Sequence, residues 1–117
     1  MNYEISDSVR NILIDEDKEK YVSTISLWEI SMKYGLGKLV IKNKTPEDLY
    51  ESILESGFEI LKIEDRLYST YYKLPKKEDH REPFDRMLIW QAINHDIVLL
   101  SADKKLDLYK EDGLRLA

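Results

Sequence analysis

The sequence of 117 residues predicts an α/β fold, a parallel β-sheet with helices on both faces. Short segments rich in β-branched residues alternate along the chain with stretches of helical periodicity. Residues 97–100 form a continuous apolar run, which is typical of a strand inside a parallel sheet. Because the sequence contains no repeat, low-complexity tract or linker, we expect a single domain over residues 1–117.

The first half of the chain predicts three helices and one strand. The clearest start is at Thr45, which can accept a hydrogen bond from the first helical turn, followed by Pro46 at the first helical position. The predicted elements are a helix at 6–14, a strand at 21–25, a helix at 26–34, an extended piece at 39–41 and a helix at 46–56.

The second half predicts three strands and three helices. Its most apolar helix, at 83–94, has hydrophobic residues on more than one side and should be buried. Pro75 should end the helix before it. The predicted elements are a strand at 58–63, a helix at 65–74, a charged loop at 76–82, a helix at 83–94, a strand at 97–100, a helix at 104–109 and a strand at 114–116.

Composition excludes several kinds of protein. The absence of cysteine excludes disulfides and thiolate metal sites, and no apolar run reaches the roughly 18 residues of a membrane span. The polar start lacks the features of a signal peptide, so we expect a cytoplasmic protein. The net charge of −5 argues against a general nucleic-acid binder unless a divalent cation offsets the local acidity.

Three acidic residues stand where a strand is predicted to meet a helix. Glu29 follows the strand at 21–25, Asp85 lies in the opening turn of the helix at 83–94, and Asp103 follows the strand at 97–100. These positions belong to the carboxyl edge of an α/β sheet, where ligands bind. Crowded carboxylates repel one another unless a cation is bound, and oxygen donors favour Mg²⁺ or Mn²⁺.

Each of these acids also has a purely structural explanation. Asp85 can offset a helix macrodipole, and Asp103 can be the N-cap of the helix after it. Glu29 can form a capping box with Ser26 and an i,i+4 pair with Lys33.

The remaining motifs are weaker. His80 could contact a phosphate, but a solvated loop histidine is the plainer interpretation. Gly35 and Gly37 are interpreted as a helix stop rather than a phosphate loop, because they follow a helix. No nucleophile–histidine pair is visible, which argues against covalent catalysis.

Three segments together resemble a known family. Residues 22–30 (Val-Ser-Thr-Ile-Ser-Leu-Trp-Glu-Ile), with Lys33, resemble the second acidic block of PIN-domain proteins of the VapC toxin type. Residues 80–86 (His-Arg-Glu-Pro-Phe-Asp-Arg) resemble the third block, and residues 99–103 (Leu-Leu-Ser-Ala-Asp) the fourth. The resemblance covers the chain from Ser6 onward.

The resemblance implies a function and its residues. PIN domains are small α/β folds whose acidic pocket binds Mg²⁺ or Mn²⁺ and hydrolyses RNA. VapC-type members are toxins that a cognate antitoxin neutralises, and they commonly form homodimers. By position, Glu29, Asp85 and Asp103 match the catalytic and metal-binding acids. The cations expected to contact the RNA backbone are Lys33, Arg81 and Arg86.

The sequence departs from the family at its start. These proteins normally begin with an apolar strand that ends in Asp-Thr and supplies the first metal ligand, whereas this chain begins Met-Asn-Tyr-Glu. We therefore expect an N-terminally truncated PIN-like domain with impaired activity. The alternative is an inactive remnant that binds an antitoxin. Loss of a strand from mid-sheet would leave backbone groups unpaired and favour rearrangement or intimate dimerisation.

Overall fold

A computed structural model of the chain describes residues 7–77, 80, 82–101 and 104–117, with side chains described from residue 11 onward. The chain divides into a middle unit, Glu19–Ile63, and a terminal unit, Met1–Lys18 with Glu64–Ala117. The helices are α1 (Asp7–Ile14), α2 (Thr24–Gly35), α3 (Pro46–Glu55), α4 (Asp65–Thr70) and α5 (Pro83–His95), with 3-10 helices at Tyr71–Lys73 and Lys104–Asp112. The strands are β1 (Tyr21–Ser23), β2 (Glu59–Leu61), β3 (Val98–Leu99) and β4 (Arg115–Leu116).

The predicted α/β class is confirmed, and the described strands pair in parallel. In the middle unit β1 pairs with β2, so that Val22 lies opposite Ile60. In the terminal unit β3 pairs with β4, so that Leu99 lies opposite Leu116. The described residues thus form one two-stranded parallel sheet in each unit. A single domain over residues 1–117 stays a prediction.

The start of α2 differs from its prediction. The side chain of Ser23 accepts a hydrogen bond from the Ile25 amide at 3.2 Å, so the helix begins at Thr24. Ser23 is the N-cap, and the capping box predicted for Ser26 is wrong. The strand before it is shorter than expected because a capping serine outweighs the β-branched residues that follow it.

The start of α3 confirms its prediction. Thr45 Oγ1 accepts from the Asp48 amide at 3.2 Å, and an Asp48 carboxylate oxygen accepts from the Thr45 amide at 2.9 Å. Pro46 occupies the first helical position. The hydrogen bond from the Thr45 backbone lowers the pKa of Asp48 below its usual value. Residues 39–41, predicted as extended, are not part of a β-strand.

The core of the terminal unit is built around α5. Ile89 on this helix and Tyr109 on the second 3-10 helix are fully buried, and further apolar residues surround them. The rest of this cluster is Leu74, Ala92, Leu106 and Leu114. Asp96 ends α5 in the left-handed region, with φ of 53°, a conformation that aspartate adopts more readily than most residues. Within the described ranges, no helix is long and apolar enough to cross a bilayer.

Candidate metal centre

Two carboxylates lie together at the start of α5. Glu82 is the N-cap, and its side chain accepts from the amides of Phe84 at 3.3 Å and Asp85 at 2.8 Å. Pro83 at the first helical position fixes the backbone for this turn. As a result, one carboxylate oxygen of Glu82 and one of Asp85 lie within 4.8 Å of each other. We call Glu82 and Asp85 the acidic pair.

The acidic pair is suited to a hard divalent cation. Both residues are partly exposed, and they offer oxygen ligands, which Mg²⁺ and Mn²⁺ prefer. The hydrogen bonds that Glu82 accepts leave further lone pairs on its oxygens. Sequence reasoning missed Glu82 because it assigned that residue to an aperiodic loop. Its place directly before Pro83 was the available signal for an N-cap.

His80 lies beside the acidic pair and is buried, with 3% of its surface exposed. Its Nδ1 is 2.8 Å from the Tyr109 hydroxyl, and its Nε2 is 3.6 Å from an oxygen of Asp85. The two rings meet edge to face, with centroids 5.4 Å apart. The interpretation of His80 as a solvated loop histidine is therefore wrong, because the ring packs against the core.

Arg86 is the hydrogen-bonding centre of this region. Its Nε donates to the Tyr71 hydroxyl at 3.0 Å, and its Nη2 donates to the carbonyl of Leu74 at 3.1 Å. Its Nη1 donates to the carbonyl of Pro75 at 3.1 Å and to the Tyr109 hydroxyl at 3.0 Å. Burial acts to lower the pKa of Arg86, but the bonds to the two tyrosines outweigh it and raise the pKa.

These bonds use four of the five N–H groups of the Arg86 guanidinium. The predicted contact of Arg86 with RNA stays a prediction.

The Tyr109 hydroxyl joins Arg86 to His80. Its oxygen accepts a hydrogen bond from Arg86, and the same hydroxyl forms a second hydrogen bond with His80 Nδ1. A chain of polar groups therefore runs from Arg86 through Tyr109 and His80 and ends facing Asp85.

Lys77 lies over the ring of Tyr109 and pairs with two carboxylates. Its Nζ lies 2.5 Å from a carboxylate oxygen of Glu111 and 2.9 Å from one of Asp112, and it stands 5.5 Å from the centre of the Tyr109 ring. The bonds to Glu111 and then to Asp112 raise the pKa of Lys77. The charge of Lys77 is thus matched by neighbours within the terminal unit.

Glu29 belongs to α2 in the middle unit. One of its carboxylate oxygens lies 2.7 Å from Lys33 Nζ, which confirms the predicted i,i+4 pair. The Glu29 side chain keeps 19% exposure and that of Lys33 keeps 44%. A contact between Lys33 and RNA stays a prediction.

A comparison with protein-family models gives a match over residues 4–112, to the PIN domain. The chain belongs to the PIN domain family. No curated protein matches the chain closely enough to count as a relative. The PIN domain is a nuclease-type fold whose members typically use divalent metal ions, which agrees with the donors of the acidic pair.

In this PIN domain the predicted site residues are distributed over both units. Asp85 lies in the terminal unit and Glu29 in the middle unit. Asp103 and Arg81 lie outside the described residues. The convergence of Glu29, Asp85 and Asp103 on one ion stays a prediction, and the structure adds Glu82 beside Asp85.

Proposed function

We propose that this PIN domain is a divalent-metal-dependent endoribonuclease of the VapC toxin type. The observation that carries the proposal is the acidic pair at the start of α5, in a chain that matches the PIN domain over residues 4–112. The two neighbouring carboxylates of this pair repel each other, and a bound divalent cation would offset that repulsion.

The roles of the acids follow from their placement. Asp85 would hold Mg²⁺ or Mn²⁺ together with Glu29 and Asp103, and Glu82 would add negative charge beside Asp85. When bound, such an ion supplies a water of lowered pKa and positive charge for the phosphate. His80 Nε2 lies 3.6 Å from an oxygen of Asp85, so the histidine stands beside this expected metal ligand.

Substrate and partners complete the proposal. Lys33, Arg81 and Arg86 would contact the RNA backbone, because phosphate contacts come mainly from basic side chains. The resemblance to VapC toxins supports a cognate antitoxin as the protein partner, a homodimer as the working form and the cytoplasm as the location.

The test is cleavage of single-stranded RNA with added Mn²⁺, compared with EDTA. Asp85→Asn keeps the size of the side chain and removes its charge, and we expect cleavage to fall about 100-fold or more, because even indirect partners of a metal are worth about 10- to 100-fold. Asp65→Asn is the matched control, since Asp65 is likewise an acid in the first turn of a helix, α4. Equal cleavage by the wild type and Asp85→Asn would refute the assignment.

A further inference from the structure

The terminal unit contains a groove with a volume of about 580 Å³. This volume lies within the range of small-ligand sites in proteins, about 300–1,000 Å³. The described residues that line it include three cationic side chains and no acidic one. We call this feature the tyrosine groove, after Tyr71 and Tyr72 in its wall.

The two tyrosines of the groove differ in what holds them. The hydroxyl of Tyr71 accepts from Arg86 Nε, and the guanidinium carbon lies 5.5 Å from the centre of the Tyr71 ring, so this wall is fixed. Tyr72 is 79% exposed. Its ring is therefore available for stacking against a flat ligand, a contact that every nucleobase can make.

The described residues that line the groove also carry positive charge. The four acceptors of Arg86 are neutral oxygens, two phenolic and two carbonyl, and within the described residues no carboxylate forms an ion pair with it. Among the described residues, its charge is therefore not offset by a carboxylate. Lys76 lines the groove and is exposed. An anion in the groove would be attracted by both side chains.

The groove adjoins the acidic pair. His80 lines the groove, and its Nε2 is 3.6 Å from an oxygen of Asp85. An RNA strand with a phosphate near Asp85 could therefore place a neighbouring nucleotide in the groove. A single strand suits this arrangement, because a base inside a duplex has no free face for Tyr72.

We propose that the tyrosine groove binds one unpaired nucleotide of single-stranded RNA next to the scissile phosphate. The base stacks on Tyr72, and the phosphodiester lies near Lys76 and in the field of Arg86. The position relative to a scissile phosphate rests on the proposed ribonuclease function. Binding of the strand does not require metal, because none of these groups is a metal ligand.

The first test is fluorescence anisotropy with a short labelled single-stranded RNA of mixed sequence in EDTA. Removing one base–aromatic stack weakens binding about 5- to 150-fold, so we expect an increase of this size in the Kd of Tyr72→Ala. Tyr72→Trp should bind as the wild type does. Tyr68→Ala is the matched control, because Tyr68 is 54% exposed and does not line the groove.

The second test concerns charge. Lys76→Met should weaken binding and reduce the slope of log K against log salt by about 0.7, the value for one phosphate contact on a single strand. Lys73→Met is the control, since Lys73 is exposed but lies outside the groove. No RNA binding by the wild type, unchanged binding by Tyr72→Ala, or equal losses in Tyr68→Ala would each overturn the proposal.

Failure of this proposal can be told from failure of the proposed function. If Mn²⁺-dependent cleavage requires Asp85 but Tyr72→Ala binds and cleaves normally, the nuclease stands and the groove is excluded. If Tyr72→Ala loses binding in EDTA while the wild type never cleaves RNA, the groove stands as a binding site and the nuclease is excluded. Equal competition by double-stranded RNA would overturn the assignment to a single strand.

Discussion

The hydroxyl of Tyr109 offers the sharpest test of the polar chain beside α5. Tyr109→Phe removes one oxygen from a fully buried side chain and leaves the ring in place. It removes a hydrogen bond from the charged Arg86, worth about 1.5–3 kcal/mol, and one between Tyr109 and the His80 ring, worth about 0.5–1.5 kcal/mol. We therefore expect the free energy of unfolding to fall by about 2–4.5 kcal/mol.

Urea unfolding measures this loss. Trp90 packs against the core of the terminal unit, so its fluorescence reports that unit once Trp28, which is 60% exposed, is replaced by Phe in every variant. With a slope of about 1–3 kcal/mol per M, the midpoint should fall by roughly 0.7–4.5 M. Tyr68→Phe is the control, because its exposed ring should change stability by less than about 0.5 kcal/mol. A loss below that value in Tyr109→Phe would refute the hydrogen-bonding scheme.

Four further predictions concern other charged groups and caps. Glu82→Gln should keep the N-cap oxygen but weaken Mn²⁺ binding about 10-fold or more, as calorimetric titration would show; unchanged affinity contradicts a metal role. Lys77→Met should make the free energy of unfolding less dependent on pH in alkali. Because the pKa of Lys77 is raised, its ion pairs contribute fully below pH 10.5, and this contribution is lost as the pH rises through the folded-state pKa. Asp48 has a lowered pKa, so its contribution is present above pH 3.8 and lost as the pH falls through the folded-state pKa; Asp48→Asn should remove that part of the acid transition, followed by circular dichroism. Thr45→Ala should cost about 1 kcal/mol in urea unfolding, and no loss would contradict the observed cap.

Elements set by local signals could be predicted from the sequence. Thr45 and Pro46 define the start of α3 through contacts with the next few residues, and the structure has both in the predicted roles. The parallel pairing of β3 and β4 followed from short apolar segments separated by helical ones. At Ser23 two local signals competed, and the serine cap took precedence over the β-branched residues after it.

The environment of His80 could not be predicted in this way. Its partner Tyr109 is 29 positions away in the chain, and Arg86 reaches the same hydroxyl across 23 positions. Periodicity within a window of about 11–18 residues cannot detect such contacts. Asp85 was found because helix starts are visible locally, whereas its neighbour Glu82 was hidden in a segment without periodicity.

The hydrogen bonds of the Arg86 guanidinium restrict which residues can replace arginine at position 86. The carbonyl groups of Leu74 and Pro75 obtain hydrogen bonds from this side chain. Lysine would keep the charge, but its three donors radiate from one atom and lack the flat fork that reaches four oxygens at once. Glutamine has only two N–H donors. Either replacement would leave main-chain oxygens without donors at the bend after the first 3-10 helix, so shape restricts this position as strongly as charge does.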